Sequence, residues 1–468
     1  MADGLLVERL RRYLQELNPE ARALLMTELE RGLLRGEETP GAELVLQELR
    51  RDARDNNRSK RPGNLARLFF QPLEPFLVDD VALHKHPGRI ARVALEPIWE
   101  WVCRDLMPGE AKAVTEQVAR AFENGEPARA EQLARSFQDR TGIRIAEALD
   151  AARSDEKARR RLAGQIGTPR ALDDVQSILT VIEARQILTS FGDRLPGHIK
   201  CFSDSMVEDV KALVDSPIAG GQPLFLYALL TVMSRLAAPW QLIRLAIRSA
   251  GSDNATRVAE THYSIAVDIV LAEIERMVGE LKAELRSGRA LAIGAMLKSI
   301  HDAARGVRTE INLSGDSPWS RQLAALRTQV SDLLKGEIES MPGRVRRLLR
   351  PRPAKEIAPG SSMDANDVRD TEALIEFVSI CRNYANELAV SEMTTRAWSE
   401  LQQYLDTATP ALVDNLRGAG ESERAFRQSQ LDAAVRFCGK VFGDEYASVL
   451  VKAGGMAANS ERKIAAKA

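Results

Sequence analysis

Apolar residues recur every three or four positions through almost the whole of this 468-residue chain. Leu6, Leu10, Tyr13 and Leu17 step by four, three and four, and Ile293, Leu297, Ile300, Ala304, Val307 and Ile311 keep the same rhythm. So do Val330, Leu334, Ile338, Met341, Val345 and Leu348. This period fits the helical turn and gives each segment one apolar face, whereas a half-buried strand would alternate every second residue. Aromatics are scarce at 5%, and Ala, Leu, Arg and Glu dominate, which also favours helix. No strand-like run and no repeat of fixed length stands out. The fold class read from these features is all-α: elongated antiparallel bundles of long helices, with an irregular α-solenoid as the alternative. The three-four spacing is compatible with coiled-coil pairing, although no register persists far enough to demand it.

Breaks in the rhythm set the expected organisation. An amino-terminal helical region covers 1–168, with Asn18-Pro19 opening its second helix and helices near Ile90–Leu106, Gly109–Phe122 and Ala128–Asp150. A central bundle of long helices covers 169–350. Three prolines, a glycine and paired serines make 351–367 a linker. A carboxy-terminal helical domain covers 368–455, where Pro410 kinks or ends a helix, and 456–468 reads as a flexible tail.

Two apolar stretches need interpretation. "RSKRPGNLARLFFQPLEPFLVDD" turns from basic to aromatic between Arg58 and Asp80. Pro72 and Pro75 interrupt any continuous amphipathic helix, and Asp79 and Asp80 would face anionic lipid, so a membrane foot fits poorly. The Pro72-Leu73-Glu74-Pro75 spacing is that of a polyproline ligand, but exposing Phe69, Phe70 and Phe76 would be costly. An apolar flap over 65–80, sealed onto neighbouring helices, is the reading adopted. The run around 224–248 could be a buried helix or a membrane-associated one. Gly220, Gly221, Gln222 and Pro223 shorten it, Arg235 would sit mid-span, and its polar residues fall near one stripe, so a core helix is expected.

Candidate chemistry is sparse. His84 and His86 lack further ligands for a metal, and His198 with Cys201 is half a site at most. His262 and His301 lie within helical patterns without the Glu-x-x-His pairs of a di-iron bundle. Asp268, Glu273 and Glu275 scatter around their helix. The glycines of "LVDSPIAGGQP" lack the Lys and Ser/Thr of a phosphate loop, and "GDSPWS" is not a nucleophile elbow. Cys103, Cys201, Cys381 and Cys438 form no zinc spacing and no disulfide framework. No catalytic, cofactor-binding or metal-ligating set is assigned.

"GRVRRLLRPRPAK" is the strongest charged feature: Arg344, Arg346, Arg347, Arg350 and Arg352, followed by Lys355. Clustered guanidinium groups grip carboxylate or phosphate by paired hydrogen bonds. Basic residues at a helix end are also favoured by the helix dipole. "RSKR" at Arg58–Arg61 and the run Arg159–Arg161 are weaker versions without interleaved aromatics. A net charge of −1 argues against a nucleic-acid coat. The absence of a signal-like amino terminus makes the cytoplasm the expected compartment. The leading expectation is a non-catalytic scaffold or adaptor that offers amphipathic helix faces to a protein partner. The rivals are a peripheral binder of anionic membrane or ligand acting through Arg344–Arg352, and an enzyme whose helical-bundle pocket is assembled from distant residues. A homo-oligomer is compatible with each.

Overall fold

The computed structural model describes residues 64–79, 85–167, 169–216, 223–287, 290–313 and 316–465, together with Leu14, Leu25, Met26, Leu29, Val45, Leu46 and Leu49. Those seven are helical; otherwise the helices expected before residue 50, the Arg58–Arg61 run and His84 lie outside the described residues. The fold is all-α, with 17 α-helices among the described residues. The one sheet found there is a two-residue parallel pair. The chain forms two compact units. The first holds residues 1–276 with Thr309–Leu313, and the second holds Met277–Arg308 with Ser314–Ala468. Residues 169–276 thus group with the chain before them, and 351–367 lies inside the second unit.

The first unit begins with helix α1 (Leu65–Phe70), capped by Asn64, whose side chain accepts from the Arg67 amide at 2.8 Å. A 3₁₀ turn (Gln71–Phe76) follows, since Pro72 and Pro75 leave too few amides for an α-helix. As expected of a flap, Leu65, Phe69, Phe70, Leu73 and Phe76 are all buried. Phe69 packs edge-on against Phe70 and Phe137, at 5.0 and 5.9 Å between centroids, and tilts onto Trp99. The region expected as one helix from Ile90 is instead divided. Ile90–Ala91 pairs with Leu77–Val78, and α2 (Leu95–Trp101) starts only after a 3₁₀ turn. The backbone has other partners here: the Ala91 amide donates to Asp174 Oδ2 at 3.3 Å.

Helices α3 (Pro108–Glu123) and α4 (Pro127–Ser154) start on prolines, which need no amide partner there. Gly125, at φ +74°, turns the chain between them. Asp155 ends α4 and caps α5 (Glu156–Ile166). The long α6 (Pro169–Arg194) and α4 pack together, and α1 lies on α4. Then come α7 (Asp204–Val214), α8 (Leu224–Arg235), α9 (Ile243–Ala250), α10 (Ala255–Ala259) and α11 (Ile265–Ser287). The apolar run at 224–248 is therefore two helices broken at Leu236–Leu242. Phe225 and Tyr227–Met233 are buried, and no described helix is long and apolar enough to cross a membrane.

A charged clamp fastens residues 85–91 to α6 and α11. Lys85 Nζ bonds Asp174 Oδ1 at 2.5 Å, and His86 Nε2 lies 3.3 Å from Glu275 Oε2. Glu273 accepts from Arg89 at 3.0 Å and from Arg276 at 2.6 Å. Burial alone would raise the Glu273 carboxyl, but bonds and charge from Arg276 and Arg89 outweigh it and hold it below the ordinary range. Gly88 completes the turn at φ +68°, where an added Cβ would lie 2.5 Å from Leu230 Cδ1.

The second unit takes most of α12 (Ala290–Glu310) and then α13 (Pro318–Leu349). Next are α14 (Ala365–Asn383), α15 (Ser391–Arg417), α16 (Arg424–Phe442) and α17 (Asp444–Ala465). Helix α15 packs against α13, α16 and α17. It continues through Pro410, which was expected to kink or end it, so the proline does not end the helix; the Thr409 hydroxyl bonds the Leu405 carbonyl at 2.9 Å beside it. Helix α17 takes in the first part of the 456–468 tail, to Ala465. Gly454 lets α17 approach closely, since a Cβ there would lie 2.7 Å from Leu431 Cδ2, and Ala457 is fully buried.

Two outcomes follow. Phe69→Ala removes a fully buried ring and is expected to cost about 3–5 kcal/mol in urea unfolding. Because Glu273 ionises below the ordinary glutamate value of about 4.3, its network contributes full stability above that pH and loses it as pH falls further. Urea midpoints at neutral and acid pH should thus fall more steeply for the wild type than for Glu273→Gln.

Candidate functional site

The arginine segment singled out in the sequence lies at the carboxyl end of α13. Ser317 starts this helix by accepting from the Ser320 amide at 3.0 Å. One face then buries Trp319, Leu323, Leu326, Val330, Leu334, Ile338, Met341, Val345 and Leu349. The stripe ends on Leu349, not Leu348, which is only partly buried. With Val345 and Leu349 inward, Arg344, Arg346, Arg347 and Arg350 must point elsewhere, and all four are exposed.

The last carbonyls of α13 have partners from α16. Gln430, fully buried, donates Nε2 to the Leu348 carbonyl at 3.2 Å and to the Arg350 carbonyl at 3.0 Å. Arg427 reaches the Arg352 carbonyl and is itself held by Glu423 at 3.1 Å. The Leu348, Arg350 and Arg352 carbonyls thus take their donors from α16 and not from the arginines of this segment.

The five arginines divide into two sets. Arg346 pairs with Glu400 and lies 5.9 Å from the Tyr404 ring centroid. Arg352 stacks over Phe426 at 5.1 Å. Arg344, Arg347 and Arg350 have no carboxylate within ion-pair distance among the described residues. Elsewhere in this unit Arg396 pairs with Glu339, Arg308 with Glu387 and Arg436 with Glu372. Three neighbouring cations are therefore presented to solvent from a fixed backbone. They could accept a carboxylate or phosphate without first releasing an internal partner.

Of the other sequence candidates, His86 meets Glu275 at 3.3 Å beside Glu273 in the charged clamp, and the rest stay apart. Cys201 and His198 are exposed on a segment whose Ile199 pairs by backbone with Arg235 and Ala237. His301 bonds Asp302 at 2.9 Å and packs on Tyr384. His262 stacks on Phe225 and Tyr263. Burial pushes the Cys381 and Cys438 thiols up to about 12, which keeps them protonated and unreactive. No group of three metal-ligating side chains occurs among the described residues. Sequence reasoning missed Gln430 and Arg427, which lie some eighty residues beyond the carbonyls they hold. Nothing local marks a glutamine as the partner of a distant helix end.

No protein-family model matches the chain, and no curated protein or solved structure matches it.

The role of Gln430 is directly measurable. Gln430→Leu leaves two carbonyls without their donor and is expected to destabilise the chain by about 1–3 kcal/mol in denaturant unfolding. Amide exchange should rise at the carboxyl end of α13 ahead of the rest of the helix.

Proposed function

We propose that this protein is a non-catalytic helical adaptor that binds an acidic segment of a protein partner through Arg344, Arg347 and Arg350. The observation that carries this reading is that these three guanidinium groups have no ion pair or hydrogen bond among the described residues, while the Leu348 and Arg350 carbonyls take their donor from Gln430. None of the three arginines caps a carbonyl of this helix end among the described residues. The apolar stripes of α13 and α15 are committed to internal packing, which leaves charge as the recognisable surface of this region. A protein partner fits better than a bilayer. Val345 and Leu349 are buried, and no fully exposed apolar side chain interrupts the arginines to enter lipid.

A glutamate-rich peptide is the direct probe, measured by fluorescence anisotropy at low and high salt. Binding should weaken with salt, and Arg344→Gln/Arg347→Gln/Arg350→Gln should reduce affinity about tenfold, as expected for losing three exposed charge contacts. Affinity purification of both forms from native cells should yield a stoichiometric protein retained by the wild type alone. Equal peptide binding by both forms would overturn the reading. Arginine-dependent sedimentation with anionic vesicles, and none with neutral ones, would transfer it to a membrane surface.

A further inference from the structure

A groove of about 690 Å³ opens in the first unit where the flap, α4, α6 and α8 come together. Its size is that of a small-ligand site, which typically falls in the range of roughly 300–1,000 Å³. Its walls differ in chemistry. Leu68, Pro72, Pro75 and Phe76 of the flap give an apolar side, while the three helices contribute Arg135, Arg185 and Arg235. The paired prolines are thus part of a concave surface.

The three arginines are not equivalent. Arg135 is exposed and pairs with Glu131 at 3.3 Å. Arg185, only 9% exposed, is held by Asp139 and by the Ile182 carbonyl, yet its Nε has no partner. Arg235 is partly buried and donates Nη1 to the Gly197 carbonyl at 3.3 Å. It has no carboxylate partner among the described residues, and its Nη2 lies 3.9 Å from where a Cβ on Gly192 would stand. Gln138, 2% exposed, gives Nε2 to the carbonyls of Leu68 and Phe69, and its Oε1 is left without a donor.

These groups point to one ligand class. A partly desolvated guanidinium without a counter-charge gains most from a pair of anionic oxygens. The recessed Arg185 is compensated by Asp139, so it offers the groove the unpartnered Nε donor and no net charge. Glu131 is neutralised by Arg135, but Asp193 also lines the groove with no cation in ion-pair range among the described residues, which opposes a multiply charged ligand. The apolar side requires a hydrocarbon body. We propose that the groove binds a small organic monocarboxylate, its carboxylate on Arg235 and its apolar body along Pro72, Pro75 and Phe76. This site is independent of the arginine end of α13.

Octanoate is the probe, with octanol as its neutral counterpart and inorganic phosphate as an anion without a body, each titrated calorimetrically into the full chain. Octanoate should bind at least about tenfold more tightly than octanol, the scale of one charge-assisted contact, and phosphate should bind more weakly than either. Arg235→Gln should bring octanoate to the level of octanol. Thr189→Trp, at an exposed position in the groove, should abolish binding of both, and it decides the matter alone if Arg235→Gln does not fold. Arg344→Gln should change nothing. The proposal is overturned if octanoate fails to bind at millimolar concentration, if octanol binds equally well, or if, in a variant with wild-type circular dichroism, Arg235→Gln leaves octanoate binding tighter than octanol or Thr189→Trp leaves it intact.

Discussion

Where a helix stops, its backbone groups lose their partners, and in this chain buried or half-buried polar side chains from distant helices replace them. Gln138 on α4 holds the carbonyls of Leu68 and Phe69. Asp174 on α6 accepts the Ala91 amide, and Arg244 on α9 donates to the Phe202 carbonyl at 2.7 Å. In the second unit Arg327 on α13 donates to the carbonyls of Asn386 and Glu387, ahead of Ala389 at φ +56°. Gln430 does the same for α13 itself. A buried carbonyl without a donor is expensive, so these few side chains fix where each non-helical segment sits between helices that the hydrophobic effect would otherwise only gather.

Charge is handled in the same way. Most described arginines are committed to a neighbour one helical turn away, as Arg160 is to Glu156, or to a carboxylate on another element, as Arg244 is to Glu310. In the half-buried clamp of Arg89, Glu273 and Arg276 the attraction offsets desolvation because the geometry holds three groups together. Arg161, Arg194, Arg257 and Arg321 also lack a carboxylate among the described residues, but two places group an unpaired cation with other features. Arg344, Arg347 and Arg350 crown one helix end, and Arg235 stands alone in a groove. Both places combine an uncompensated guanidinium with a backbone fixed by other contacts.

Several elements were legible in advance because their cause is local. The α13 stripe can be counted off from Val330 to Val345, the turn at Asn124-Gly125 follows from its residue types, and burial of Phe69 and Phe76 follows from the cost of exposing them. Other features have no local mark. Pro410 is a signal for a kink or an end, yet α15 continues through it, and the close approach of Gly454 to Leu431 is set by a helix packed from elsewhere in the chain. Arg89 and Glu273 are separated by 184 residues, so no window of sequence could join them. The groove beside the flap was equally invisible, because Pro72 and Arg235 acquire a common purpose only as walls of one concavity.

The sequence alone determined that this chain is helical, which segments bury an apolar face, and that its densest positive charge falls between Arg344 and Arg352. Those properties depend on residues three or four apart, and a single helix turn already brings such residues together. Tertiary structure decided which arginines keep a partner, which carbonyls are held by Gln138 and Gln430, and where a cavity opens. Each of these depends on the meeting of elements far apart along the chain, and only the packing of several helices at once sets that.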